Sequence, residues 1–380
     1  AVSRMHSHWE TFVTEEDLDR LLHFGVTHVR IPIGWWLVDY RESDGFVDGG
    51  SRYLFRALAW LKLRGMRALL DLHALPGAQT PGQSFTGKVS PTARFFERPD
   101  LFERGKAAIL GLARLILTYE SNPLTTGVVI GMEPANEPGG PFWDTTPGIR
   151  ALYEEMVPRV RRLLPADRYL VLLSFPDLRQ GTGWLDWKRK SDPTNFEGVA
   201  VDAHIYHSYG DDNAAGRRWR IDVDSCKTCC RDPYVLAPMV EKGVPILIGE
   251  YSLNTGFPGN EPFYLEYLSN QLSLWASTPG LVGSFFWNHR VLRNPGGWYK
   301  EMSFLELLAP SGPIPPASQM NLTARCPGKD LSVCPTYNPK TVLWSDPCKW
   351  RGDPDLHEKM GRTHTQMRED SARVHKGDAR

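Results

Sequence analysis

The chain carries no excess of charge: Lys and Arg number 44 and Asp and Glu number 44 among 380 residues. Nucleic acids and anionic membranes select a basic face, so neither is expected as the main partner. No uninterrupted apolar stretch approaches the ~20 residues that cross a bilayer, which argues against membrane insertion. No glycine-rich phosphate loop follows any early strand-like run, which weakens a doubly wound nucleotide-binding sheet. The opening residues, AVSRMHSHWE, have neither a positive start nor an apolar h-region, and read as a mature or trimmed form.

What is present is more informative. Apolar residues make up 41%, enough for a large core. At about 150 residues per domain the length suggests two to three domains, but a single (β/α)8 barrel takes about 250 residues and overrides that prior. The 13 Trp, 13 Tyr and 16 Phe suit a protein that stacks on flat apolar faces such as those of sugars. Six cysteines fall in two clusters, Cys226/Cys229/Cys230 and Cys326/Cys334/Cys348. With the sequon Asn321-Leu322-Thr323 they point to an oxidised, secreted or cell-surface (cell-wall) protein that is disulfide-bonded and glycosylated.

Short β-branched or apolar runs alternate with helix-period segments. The strand-like runs are 27–33, 67–72, 127–131, 169–174, 198–203, 245–248 and 281–287, and helices are expected over 15–24, 51–63, 101–119, 149–164 and 261–275. Strands separated by helices imply parallel pairing and right-handed crossovers. Seven strands at this spacing are what a (β/α)8 TIM barrel shows when its first strand is missing. A seven-strand barrel has an open seam, so more N-terminal sequence than this chain contains is expected to complete it. From Ala309 the pattern changes to a proline-rich stretch, the second cysteine cluster and a charged end. The expected division is a barrel over 1–315, a cysteine-containing extension over 316–350 and a charged mobile tail over 351–380. Arg351-Gly352-Asp353 in that tail is a chance match to an adhesion motif.

Polar residues cluster at the C-terminal ends of the runs, the face that carries barrel active sites. Arg30, His73, Asn136, Glu137, His204, Tyr206, Glu250 and Trp287 all fall there. Glycoside hydrolysis needs two opposed carboxyls, one protonated and one ionised. Counting the missing strand, Glu137 follows the fourth barrel strand and Glu250 the seventh, so they converge across the pore. Glu137 is the expected acid/base, kept protonated by partial burial and by Glu250. Glu250 is the expected nucleophile, held ionised by Arg30 and Tyr206. Asn136 would bind the sugar 2-hydroxyl, His73 and His204 would orient polar groups, and Trp287 would floor the reactive subsite. Taken singly, each has a bland reading as an ion-pair or core residue. Their joint order at successive strand ends favours catalysis.

These residues resemble glycoside hydrolase family 5, and within it the fungal-type exo-β-1,3-glucanases. The resemblance rests on HWETFVTEED (8–17), VRIPIGWW (29–36), DLH (71–73) with Pro76, Gly77 and Gln79, NEPGGP (136–141), AHIYH (203–207), GEYS (249–252) and FFWN (285–288). It covers residues 5–315 and implies that the eight strand-end residues form the family's essential set. It also implies an aromatic clamp for the leaving sugar, which Phe85 and Tyr209 would supply, with Trp36, Trp143, Trp184 and Trp298 as further candidates along the approach. Two features depart from the family. The initial strand, with the acidic residue that reads a chain end, is absent, which puts exo-specificity in doubt. The segment 211–234 inserts Cys226, Cys229 and Cys230, a zinc half-site in spacing but without a matching His/Cys pair, so disulfides are favoured.

The expected function is retaining hydrolysis of β-glucosidic bonds, exo-acting on β-1,3-glucan, without metal or organic cofactor. Alternatives are another β-glucoside or glycolipid as substrate, and a non-catalytic glycan-binding or structural cell-surface protein on the same barrel.

Overall fold

A computed structural model describes residues 2–207, 227–254, 264–291, 300–308 and 312–320. Tyr209, Trp298, Cys226, the second cysteine cluster, the sequon and the Arg-Gly-Asp tripeptide lie outside the described residues, as does the charged tail.

All seven expected strands form. They are β1 (His28–Gly34), β2 (Arg67–Ala74), β3 (Val129–Glu133), β4 (Leu170–Ser174), β5 (Val199–His204), β6 (Ile246–Tyr251) and β7 (Leu281–Phe286). They pair in parallel and in chain order, curling into most of a barrel. Parallel pairing requires crossovers, and each is helical. The helices are Gly50–Leu63, Pro99–Glu120, Ile149–Arg161, Leu178–Ser191, Asp232–Lys242 and Tyr264–Ser277. Local chemistry sets their starts. Thr14 and Asp17 form a reciprocal capping box for the helix Glu15–His23. Pro99 occupies the first turn of the longest helix, where its missing N–H costs nothing. The Asp177 side chain accepts from the Gln180 amide at 2.8 Å.

Two layers of packing follow from the strand alternation. Outward residues such as Leu70, Met132, Val171, Val201 and Ile248 are fully or almost fully buried under the helices. Inward residues stack in tiers. Leu69, Leu172, Ala200 and Leu247 form an apolar base. Above it come Arg30, Asp71, Glu133 and Asp202, and above those the strand-end residues. A tier of ionisable groups inside the sheet was not expected from the sequence.

The barrel is not closed among the described residues. β1 and β7 are the two edges of the sheet, and a cavity of about 1260 Å³ opens along the seam between them. Val29, Ile31, Phe285 and Phe286 of the edge strands line it, and it reaches the interior Leu170 and Leu247.

Candidate active site

Seven of the eight strand-end residues meet in one connected network; the eighth, Trp287, stacks on it. Glu250 reaches the interior through an irregularity in β6. The pairing advances one residue in β5, from Ala203 to His204, while it advances two in β6, from Ile248 to Glu250. The extra residue is Gly249, and the bulge turns Glu250 inward where strict alternation would turn it out. Only glycine fits there, because a Cβ on residue 249 would lie 1.9 Å from Asp202 Oδ1.

Both oxygens of Glu250 are held. Arg30 Nη1 donates to Oε1 at 2.9 Å and the Tyr206 hydroxyl donates to Oε2 at 2.7 Å. Arg30 is buried and also donates twice to Glu133 Oε2, at 2.7 and 3.1 Å, and to Asn136 Oδ1 at 2.7 Å. With Oδ1 fixed by the guanidinium, the Asn136 Nδ2 donor is left without a partner among the described residues. It is free to bind a ligand hydroxyl, as the sequence suggests.

Glu137 stands opposite, with φ of 37°, in the left-handed region that costs a non-glycine residue energy and recurs at functional sites. Its Oε1 lies 2.5 Å from His204 Nδ1, and His204 Nε2 lies 2.9 Å from Asp202 Oδ2. Burial opposes charge on His204, but Asp202 and Glu250 outweigh it and raise its pKa well above the usual imidazole range. Burial likewise pushes the Glu137 carboxyl up, but the hydrogen bond and charge of His204, aided by His73, bring it below the usual range. The expected protonated Glu137 therefore differs from what these surroundings favour, which is a Glu137–His204 ion pair with one proton between them.

Ligand atoms of Glu137, His204 and Glu250 all lie within 4.8 Å of one another. His73 pairs with Asp71 at 2.5 Å, and its ring lies parallel to that of Trp287, 8° apart in plane with centroids 5.3 Å apart. Phe85 meets His73 edge-on at 5.6 Å, at the rim where an aromatic clamp is expected. Trp36 is stacked face to face on Phe46 at 3.8 Å, while Trp143 and Trp184 are buried against Phe175. The latter two are core residues and do not line an approach.

Gln79, which the sequence marks only as part of the resemblance and without a role, ties the strand ends of the site together. Its amide donates to the carbonyls of His73 and Asn136, and its oxygen accepts from the Leu75 amide. Asp71, marked only within DLH, and Asp202 likewise have no role assigned from the sequence, although each precedes a site histidine by two residues and so shares its strand face.

Comparison with known proteins bears on the family and the fold. The family model described as "Cellulase (glycosyl hydrolase family 5)" matches residues 1–276. A "Glucan 1,3-beta-glucosidase" of Candida oleophila is 30% identical over 231 residues, 60% of this chain and 51% of that protein. An Aspergillus fumigatus protein named "Probable glucan 1,3-beta-glucosidase A" is 29% identical over 65% of this chain and 54% of its own length. The chain thus spans about half the length of these curated relatives. A Neosartorya fischeri protein named "Probable glucan endo-1,6-beta-glucosidase B" is 27% identical over 77% of this chain and 71% of its own. Among solved structures, the rutinosidase of Aspergillus niger superposes with a TM-score of 0.60 at 19% identity, covering 78% of this chain and 82% of that one, a likeness of fold.

Proposed function

The chain belongs to glycoside hydrolase family 5, and from that premise we propose that it hydrolyses β-glucosidic bonds with retention, acting from the chain end on β-1,3-glucan. The observation that carries the reading is the spacing of the two carboxylates. An oxygen of Glu137 and an oxygen of Glu250 lie within 4.8 Å. Retaining pairs stand about 5–5.5 Å apart and inverting pairs about 6.5–9.5 Å apart, to admit a water.

Glu250, ionised between Arg30 and Tyr206, attacks the anomeric carbon. The glycosidic oxygen departs with the proton held between His204 and Glu137. Water then enters, Glu137 takes its proton, and the glucosyl ester on Glu250 is cleaved. Asn136 Nδ2 holds the 2-hydroxyl, and Trp287 offers an apolar floor. His73, Phe85 and Tyr209 complete the sugar contacts. The linkage preference draws on the two 1,3-glucosidase relatives, and the endo-1,6 relative marks the competing substrate.

The reading extends to the molecule's setting. The even count of six cysteines and the sequon at Asn321 support a secreted or cell-surface protein with disulfides and a glycan. The catalytic unit is taken as 1–315, followed by the extension 316–350 and tail 351–380. A further extended segment is taken to fill the seam, since edge strands β1 and β7 and the interior leucines otherwise line an apolar cavity.

A proton NMR time course with laminaritriose tests the proposal. Early β-glucose that later mutarotates is expected. α-Glucose as the first product would overturn retention, and turnover of a β-1,6-linked trimer in preference would overturn the linkage.

A further inference from the structure

Among the described residues, Arg30 is the single guanidinium between four carboxylates. Its Nη2 lies 3.0 Å from Asp71 and 2.7 Å from Glu133, with Asp202 at 3.8 Å, and Nη1 is 2.9 Å from Glu250. The side chains of Asp71, Glu133 and Asp202 are fully buried. Three ionised carboxylates in that tier, beside a fourth on the nucleophile, would leave a large uncompensated charge in a dry interior.

The hydrogen bonds show where one charge is removed. Glu133 Oε2 is saturated by two donors from Arg30. Among the described residues Asp71 Oδ1, Glu133 Oε1 and Asp202 Oδ1 have no hydrogen-bond partner, and of the three carboxylates Asp71 and Asp202 each already face a histidine, His73 and His204, whereas Glu133 meets only Arg30. We propose that Glu133 is a positioning residue that keeps a proton, so that Arg30 and Asp202 face the two catalytic glutamates in fixed places and charge states.

The proposal rests on Glu137 and Glu250 being the catalytic pair. It makes one continuous chain from Glu133 through Arg30 to Glu250, while Asp202 holds His204 and through it Glu137. Burial drives the Glu133 carboxyl well above the usual range against the pull of Arg30, with Asp202 and Asp71 adding to the rise. The titratable and charged groups that act on Glu133 are Arg30 on β1, Asp71 on β2, Asp202 and His204 on β5, and Tyr153 from the covering helix. The Tyr153 hydroxyl is bound to the Ser174 carbonyl.

The unfolded chain ionises Glu133 above its ordinary range, whereas the folded chain keeps the proton, so folding takes up one proton at neutral pH. The test is denaturant unfolding of wild type and Glu133→Gln across pH 5 to 8. The unfolding constant of wild type is expected to rise about tenfold per pH unit relative to that of the variant. Equal pH slopes would overturn the proposal. Infrared difference spectra supply a second readout that needs no stable variant. A protonated-carboxyl band that persists in wild type at pH 8 is expected, and its absence would overturn the proposal.

Function separates positioning from bare structure. Glu133→Ala, which leaves two Arg30 donors unserved, is expected to lower kcat roughly 10- to 100-fold with little change in KM. Glu133→Gln, which can still accept from Arg30 and is uncharged like the protonated acid, is expected to recover most of that loss and to keep the limbs of the pH profile. A moved limb in Glu133→Gln would mean that a negative charge had been removed, and the proposal would fail. Trapping of Glu250 in wild type by a 2-fluoro-glucoside reads the underlying assignment separately, since it does not depend on Glu133.

Discussion

Gly249→Ala is the substitution whose consequence the structure sets most sharply. The new Cβ would lie 1.9 Å from Asp202 Oδ1 and 2.6 Å from its Cγ. No carbon and oxygen tolerate that approach, so Asp202 or the β6 backbone must move by more than 1 Å. Overpacking of this kind costs about 1–3 kcal/mol. Asp202 also holds His204 at 2.9 Å, and losing a hydrogen bond between charged partners costs about 1.5–3 kcal/mol more. His204 in turn positions Glu137, and a misplacement near 1 Å costs on the order of 100-fold in rate. Gly249→Ala is therefore expected to destabilise the fold by several kcal/mol and to lower kcat about 100-fold. The control is Gly283→Ala in β7, where a Cβ meets nothing within 4 Å; it is expected to keep activity within about twofold and stability within ~0.5 kcal/mol. Urea denaturation and hydrolysis of an aryl β-glucoside check both. If Gly249→Ala behaves like Gly283→Ala, the tight contact between β5 and β6 is wrong, and with it the account of how Glu250 turns inward.

Three further predictions concern the site. Glu137→Ala is expected to slow β-glucosides with poor leaving groups far more than activated aryl glucosides, and equal losses would remove it as the acid. Tyr206→Phe removes one donor from Glu250 Oε2 and is expected to lower kcat roughly 10- to 100-fold without unfolding the chain, as thermal melts would show. The Glu137–His204 pair also makes stability depend on pH. Glu137, lowered in the fold, contributes stability above about pH 4.5 that is lost as pH falls through its lowered value. His204, raised in the fold, contributes stability below about pH 6.5 that is lost as pH rises through its raised value. The stability difference between wild type and His204→Asn is expected to be largest between about pH 4.5 and 6.5; a difference that does not vary with pH would contradict the ion pair.

The strands were legible because runs such as 170–173 and 245–248 are apolar on both faces, as buried parallel strands must be. The helix Leu178–Ser191 was not singled out, since it carries Gly181 and Gly183 and its apolar period is thin. Gly181 is there because Phe175 packs where its Cβ would be, a tertiary reason that no local pattern carries. The strand-end residues were legible as polar groups closing apolar runs. Glu133 was not, because it closes β3 in the middle of IGMEPANEP, four residues before a more conspicuous glutamate. Its role depends on Arg30, 103 residues away, and on Asp202, 69 residues on. The bulge at Gly249 was likewise hidden, since a register shift leaves no mark on composition. Trp143 and Trp184 show the converse error. Aromatic richness suggested a sugar approach, but both rings are buried against Phe175 and build the core.

The central claim is that Glu250 is the nucleophile of a retaining reaction. Its most direct test is incubation with an activated 2-deoxy-2-fluoro-β-glucoside, followed by peptide mass spectrometry. The account predicts a single 2-fluoroglucosyl ester on Glu250, with loss of activity in step with labelling. A label on any other residue, or none on an enzyme that still turns over the parent glucoside, would contradict it.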